Sequence, residues 1–319
     1  MAKTALQQYP IKYTTLQFIA HNAGVVFRVD SPGQAYVLKL HDRVGKGVNP
    51  AYDQLEIGMR WLAGVAHATD IIVQTPISTS TGAFVSTVAF EDKSIHCTLQ
   101  HWLDGDSPNG PFTEHQAQQI GTMMAKLHRY NRSSAIQFDG AMVHGSEALS
   151  EHVLSIRDSL NLKLFPQSSY EIVKNAQDKI QQIMKQLGTD RDVWGPVHGD
   201  IHYDNILLSN GNMYPIDFTG LRIAHYLFDI GVTLFHTFHQ GQSIRLAFLQ
   251  GYQKISELPP EHINYLEAFF TYAAIDNLAW NATIPEQVAS PLFQRNLHQL
   301  IFIFCRDIVE DISFFDAQK

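Results

Sequence analysis

The residues best suited to chemistry lie in one short stretch, Val197-His198-Gly199-Asp200-Ile201-His202-Tyr203-Asp204-Asn205-Ile206-Leu207-Leu208. Apolar runs at both ends enclose a polar middle, the pattern of a loop pinned between buried segments. Past the turn signal Asn210-Gly211-Asn212 comes a second acidic point, in Met213-Tyr214-Pro215-Ile216-Asp217-Phe218. Two carboxylates and one amide on neighbouring loops suit Mg²⁺ held against phosphates. That ion is hard, prefers oxygen ligands, and is usually held by one or two carboxylates together with substrate phosphates.

The spacing says more. His198-x-Asp200-x-x-x-x-Asn205 is the catalytic-loop pattern of protein-kinase-like phosphotransferases, in which the Asp accepts the hydroxyl proton and the Asn holds a metal. A second Asp beyond a short hairpin then binds the metal that bridges the phosphates. Gly199 stands where eukaryotic protein kinases have Arg, and Phe218-Thr219 follows Asp217 where they have Phe-Gly. With those departures, and with Phe228-Asp229-Ile230-Gly231 further on, the chain resembles the aminoglycoside phosphotransferase family over nearly its whole length. That family includes choline kinase, type II homoserine kinase and related small-molecule kinases. The resemblance implies an α+β, protein-kinase-like two-lobe fold, with a small N-terminal antiparallel sheet plus helix and a large, mainly helical C-terminal lobe. It implies ATP and Mg²⁺ as cofactors, Asp200 as the catalytic carboxylate, and Asn205 and Asp217 as metal ligands. His198 would organise the loop, and Asp229 would support it through backbone hydrogen bonds.

Elements able to position these groups are legible upstream. Tyr13 to Ala20, Val25 to Asp30 and Ala35 to Leu40 are rich in β-branched and aromatic residues and are separated by turn signals, so three strands are expected. Lys39 interrupts an apolar run in the third, where an unpaired ammonium would be costly. In the kinase pattern such a Lys contacts the nucleotide phosphates and pairs with a Glu of the next helix. Leu55, Met59 and Leu62 mark that helix, and Glu56 is the expected partner. The glycine loop would be His21-Asn22-Ala23-Gly24, with Asn22 and Gly24 facing phosphate.

Val73 to Pro76, Ala83 to Phe90 and Ser94 to Leu103 read as further strands, and a shift to Gly, Asp and Pro follows Trp102. A boundary is expected there: residues 1–101 as the nucleotide-binding lobe, 102–319 as the catalytic and substrate-binding lobe, and a hinge at about 100–107. The resemblance places Gln100, His101, Trp102 and Leu103 along the adenine. Helices are expected from Thr113 to Tyr130, over 146–161 and 169–187, from Ala224 to Phe238, Ser243 to Ile255, Pro260 to Asn281, and Pro291 to Phe315. His128 and the scattered His225, His236 and His239 read as packed histidines rather than ligands.

Composition excludes other classes. The net charge of −8 disfavours nucleic-acid binding, which needs a basic face. No apolar run is long enough to span a bilayer, and no apolar signal core opens the chain. Two cysteines, Cys97 and Cys305, make no disulfide framework, so a cytoplasmic protein is expected. From His198 onward six basic residues face thirteen acidic ones, a net −7. Acidic surface attracts cations. The resemblance implies a small-molecule hydroxyl acceptor on an aminoglycoside, amino alcohol or hydroxy amino acid, and the acidic surface agrees with a cationic one; it is expected near Asp204, Asp276 or Trp280, with Glu267 and Tyr272 nearby. A carboxylate-bearing acceptor would call on Arg222. A protein Ser/Thr acceptor, or a catalytically silent nucleotide-binding protein, are the alternatives. The oligomeric state is not readable.

Overall fold

The computed structural model describes residues 1–21, 24–42, 49–134, 138, 140–161 and 163–315. A short helix α1 (Ala2–Leu6) precedes strands β1 (Thr15–His21), β2 (Val25–Ser31) and β3 (Gln34–Leu40); helix α2 (Tyr52–Ala68) leads to β4 (Val85–Phe90) and β5 (Lys93–His101). The strands form one antiparallel sheet in the order β1-β2-β3-β5-β4. Side chains alternate across a strand. Tyr36, Leu38 and Leu40 of β3 therefore join Val29, Val88, Ile95, Cys97 and Leu99 on one face, sealed by Ala2, Ala5 and Leu6 of α1. Lys39 belongs to the opposite set. Leu38 is fully buried, and truncating it to Ala would cost about 2–5 kcal/mol.

Val73 to Pro76 is not a strand: only Pro76 bridges to Gln100. Proline has no N–H to continue a ladder. The other two expected strands form as Val85–Phe90 and Lys93–His101, starting two residues after Ala83 and ending two before Leu103, and α2 runs beyond Leu62 to Ala68.

A separate hairpin pairs Ile206–Ser209 with Asn212–Pro215. Its Asn210-Gly211 turn has φ of 51° and 78°, the left-handed pair that a two-residue hairpin favours. This hairpin and the loop after it belong with the sheet. The chain divides into two compact units: Met1–Ser107 with Ala135–Met142 and Ile206–Leu221, and Pro108–Ser134 with Val143–Asn205 and Arg222–Lys319. The single division near residue 102 thus becomes an interleaved one, because the hairpin returns to the sheet unit: Asp106 and Leu208 exchange backbone hydrogen bonds.

The second unit is mainly helical. Helix α3 (Glu114–Ser133) starts with a capping box in which Thr113 and Gln116 satisfy each other's backbone N–H. Helices α4 (Ser146–Ser159), α5 (Gln167–Leu187), α6 (Tyr226–Thr237) and α7 (Gln242–Gln253) follow. Helices α8 (Pro260–Asn264) and α9 (Leu266–Ala282) are separated at Tyr265, so the expected single helix from Pro260 is broken. The last expected helix is a helix over Pro291–Gln299, a π-helical stretch over Leu300–Cys305, and a final turn over Arg306–Val309. The first two residues expected in α6, Ala224 and His225, instead end a strand, Arg222–His225, paired antiparallel with Trp194–Val197.

Helices α3 and α7 press together at glycines. A Cβ on Gly121 would lie 2.0 Å from the Phe248 carbonyl oxygen, and one on Gly251 would lie 2.1 Å from that of Gln118. Helix α9 is buried nearly all round by α4 and α6, with Phe269, Phe270, Tyr272 and Ile275 enclosed. A helix apolar on every side is a central one. No helix among the described residues is long and apolar enough to cross a membrane.

Candidate active site

In the sheet unit, β3 presents Lys39 to a carboxylate. Its Nζ donates to both oxygens of Asp217 at 2.8 Å and to the Thr219 hydroxyl at 3.1 Å. Lys39 is buried, whereas a third of the Asp217 side chain remains exposed. Asp217 sits at φ 62°, ψ 58°, a left-handed conformation uncommon for a residue with a Cβ. Such backbone persists where its surroundings over-determine it, and it clusters at ligand-holding sites. Here the following turn, Phe218–Gly220, is anchored by Phe218, which is buried against Trp61 of α2.

Glu56 is not the partner of Lys39. One oxygen accepts from the Arg60 guanidinium at 3.0 Å, and the other accepts from the backbone N–H groups of Phe84 and Val85 at 2.8 and 3.0 Å. Glu56 thereby ties α2 to the start of β4, and its lone pairs are spent there. Gly24 does lie beside Lys39: a Cβ there would come 3.2 Å from Lys39 Cε and 2.7 Å from the Leu40 carbonyl oxygen. Asn22 lies outside the described residues. Gln100 is buried and donates to the Gln74 carbonyl. Trp102 donates its backbone N–H to the Ala35 carbonyl and its indole N–H to Asp104, and carries the Arg28 guanidinium over its ring. Leu103 is half-buried beside it.

In the helical unit, the loop after Val197 is braced from beneath. Asp229, in the first turn of α6, is wholly buried and accepts from the Gly199 N–H at 2.8 Å and the His198 N–H at 3.2 Å. Gly199 stands at φ 71°, a turn that favours glycine. His128 Nε2 is 3.0 Å from Asp229, and its Nδ1 is 2.9 Å from the Tyr252 hydroxyl. An ionised Asp only accepts, so Nε2 carries the ring proton and Nδ1 accepts from Tyr252. Burial holds His128 below the usual histidine range despite Asp229. Burial works the other way on Asp229, but His128, His198 and the Gly199 N–H outweigh it and keep the carboxyl low.

The brace presents Asp200. The Asn205 amide nitrogen donates to the Asp200 carbonyl at 2.9 Å and to its carboxylate at 3.0 Å, and lies 3.1 Å from His202 Nε2. That orientation leaves the Asn205 amide oxygen outside the Asp200 contacts, a neutral oxygen donor of the kind a hard cation takes. Burial disfavours the charge on Asp200, but His202, His198 and His236 outweigh it and hold the carboxyl below its usual range. Half of its side chain remains exposed. His202 was not singled out from sequence, although it lies within the motif.

The acceptor residues fare differently. Asp204 is largely exposed at 88%, and Trp280 is half exposed. Asp276, on α9, is engaged by Arg222 at 3.1 Å and faced by His144 and His152. Glu267 accepts from Ser313 and the Phe315 N–H, and the buried Tyr272 donates to the Gly145 carbonyl.

A family model described as "Phosphotransferase enzyme family" matches residues 15–263. Amicoumacin kinase of Bacillus subtilis (strain 168) is 20% identical over 278 residues, covering 83% of this chain and 79% of that protein. Among solved structures, a microcompartment-associated aminopropanol kinase superposes with a TM-score of 0.76 at 20% identity, covering 97% of each chain. An amicoumacin kinase in complex with AMP-PNP, Ca²⁺ and Ami superposes with a TM-score of 0.78 at 16% identity, covering 99% of this chain and 96% of that one. A spectinomycin phosphotransferase in complex with ADP and spectinomycin gives 0.65 at 17% identity, covering 95% and 97%.

Proposed function

The chain belongs to the phosphotransferase enzyme family, and on that premise we propose a division of labour among its site residues. The protein is an ATP-dependent phosphotransferase acting on a hydroxyl of a small molecule. Lys39 neutralises nucleotide phosphate, with Gly24 beside it and the segment from Gln100 to Leu103 along the base. Asn205, through its amide oxygen, and Asp217, through its carboxylate, hold the divalent ion, which is Mg²⁺ in this reading. Their all-oxygen donor set fits that ion. When bound, it supplies charge neutralisation at the phosphates.

Asp200 orients the acceptor hydroxyl and accepts its proton. Asn205 fixes the carboxylate's direction, His202 keeps it ionised, and Asp229 keeps the loop in place through the Gly199 and His198 N–H groups. A carboxylate held ionised is a weak base, so most of the rate comes from positioning and charge neutralisation. The observation that carries this reading is the Asp200–Asn205 contact on the braced loop. Exposed Asp204 and Trp280 support an acceptor bearing an amine, which carboxylate and indole both attract. The names of the relatives agree, since aminopropanol combines amine and hydroxyl. The two buried free thiols support action in the reducing cytoplasm.

The test is acceptor-dependent ADP formation across amino alcohols, aminoglycosides, sugars and hydroxy amino acids. One acceptor class stimulates turnover in the wild type, and Asp200→Asn loses about 10³-fold in rate while its nucleotide affinity stays near wild type. Near-normal turnover in purified Asp200→Asn overturns the role given to Asp200. Nucleotide binding without transfer to any acceptor would instead mark a silent nucleotide-binding protein.

A further inference from the structure

In the helical unit, two imidazoles face a single carboxylate oxygen and neither is hydrogen-bonded there. His144 Nε2 lies 3.7 Å from Asp276 Oδ1 and His152 Nδ1 lies 3.3 Å from it. Both nitrogens are buried and make no hydrogen bond. A buried polar atom in that condition is costly and calls for an explanation. The three ligand atoms lie within 4.8 Å of one another. We propose that His144, His152 and Asp276 form a binding site for a divalent transition-metal ion of the zinc type.

The geometry is near what such an ion requires. Metal–ligand bonds of about 2.0–2.2 Å place the ligand atoms of a tetrahedral site roughly 3.3–3.6 Å apart. The 3.3 Å separation already meets this and the 3.7 Å one needs only a small closure, while the two imidazole nitrogens, within 4.8 Å of each other, draw in on binding. Two imidazoles and a carboxylate select zinc-like ions over Mg²⁺, which prefers oxygen. A three-ligand set is also the count found where a coordination position is kept for water or a small ligand.

The surroundings hold the ligands in place. The His144 ring stacks on Tyr272, with centroids 5.0 Å apart and planes 5° apart, and also packs on Phe228. Tyr272 is fixed in turn by its bond to the Gly145 carbonyl. Arg222 takes Asp276 Oδ2 at 3.1 Å and leaves Oδ1 to the histidines. Hydrogen-bonded partners behind a ligand are what orient it. Burial disfavours the protonated form of both rings, and metal ligation needs them neutral. His152 and Asp276 remain about a quarter exposed, which gives an ion a route in.

The test uses the full-length protein stripped with a chelator and then titrated calorimetrically with Zn²⁺ in excess Mg²⁺, so that any hard oxygen site is filled. Co²⁺ serves as a spectroscopic probe of the same site. The expected result is one equivalent of Zn²⁺ with a thermal upshift, and visible Co²⁺ absorption of tetrahedral intensity. His152→Ala, at the partly exposed ligand, and Asp276→Asn should each weaken Zn²⁺ binding by about 10²-fold or more. His152→Ala should still bind AMP-PNP as the wild type does, which shows that it is folded. Substoichiometric uptake by the wild type, or undiminished Zn²⁺ binding by folded His152→Ala, overturns the proposal.

Discussion

The helical unit contains two histidine–aspartate groupings with opposite characters, one wholly buried and one partly open. In the first, His128 uses both ring nitrogens, and Asp229 accepts from a ring and two backbone N–H groups. In the second, Arg222 takes one Asp276 oxygen, while His144 and His152 approach the other without forming a hydrogen bond. A satisfied network rigidifies, whereas an incompletely satisfied one stores a cost that a ligand can remove. The first grouping explains how the loop carrying Asp200 keeps its shape. The second has no such structural task.

Removing the brace should have the largest effect. Asp229→Ala strands the Gly199 and His198 N–H groups and leaves His128 buried without its acceptor. Each buried donor left without its acceptor costs about 1–3 kcal/mol. A Tm lowered by many degrees, with activity lost alongside, is the expected outcome; a Tm within a degree or two of wild type would deny the loop its support.

Acidification should come next. Burial pushes His225 down to about 4 and lowers His128, so the unfolded chain takes up protons near pH 6.5 that the folded chain refuses. Stability is therefore full above about pH 6.5 and falls as the pH drops towards 4, by up to ~1.4 kcal/mol per pH unit for His225. Denaturant unfolding at pH 7 and pH 5 reads this directly, and equal stability at both would mean that these rings are not shielded. The smallest effect is expected from His152→Ala in chelated protein. Its Nδ1 makes no hydrogen bond, so the loss should stay below about 1 kcal/mol. A loss equal to that of Asp229→Ala would erase the distinction between the two groupings.

Much of this was legible in the chain. β-Branched and aromatic runs between turn signals marked β1 to β3, and motif spacing singled out Asp200, Asn205 and Asp217 as candidates. Pairing across long separations was not legible. Lys39 meets Asp217 across 178 positions, and no local pattern distinguishes that partner from Glu56 seventeen residues on. Glu56 fails because the backbone at Phe84 and Val85 claims it, a contact fixed only when α2 packs at the start of β4. Helix α9 was readable as helix but not by face, since it is apolar all round, and its break at Tyr265 has no proline or glycine to announce it. His144, His152 and Asp276 come from a loop, α4 and α9, so their spacing carries no motif at all.

The central claim separates the groups that hold nucleotide from the carboxylate that receives the acceptor's proton. Calorimetric titration of AMP-PNP with Mg²⁺ into wild type, Asp217→Ala and Asp200→Asn tests it most directly, because no acceptor needs to be known. The account predicts that affinity falls by about 10²-fold or more in Asp217→Ala, for loss of a charge-assisted contact of about 3 kcal/mol, and stays close to wild type in Asp200→Asn. Wild-type affinity in Asp217→Ala would contradict it.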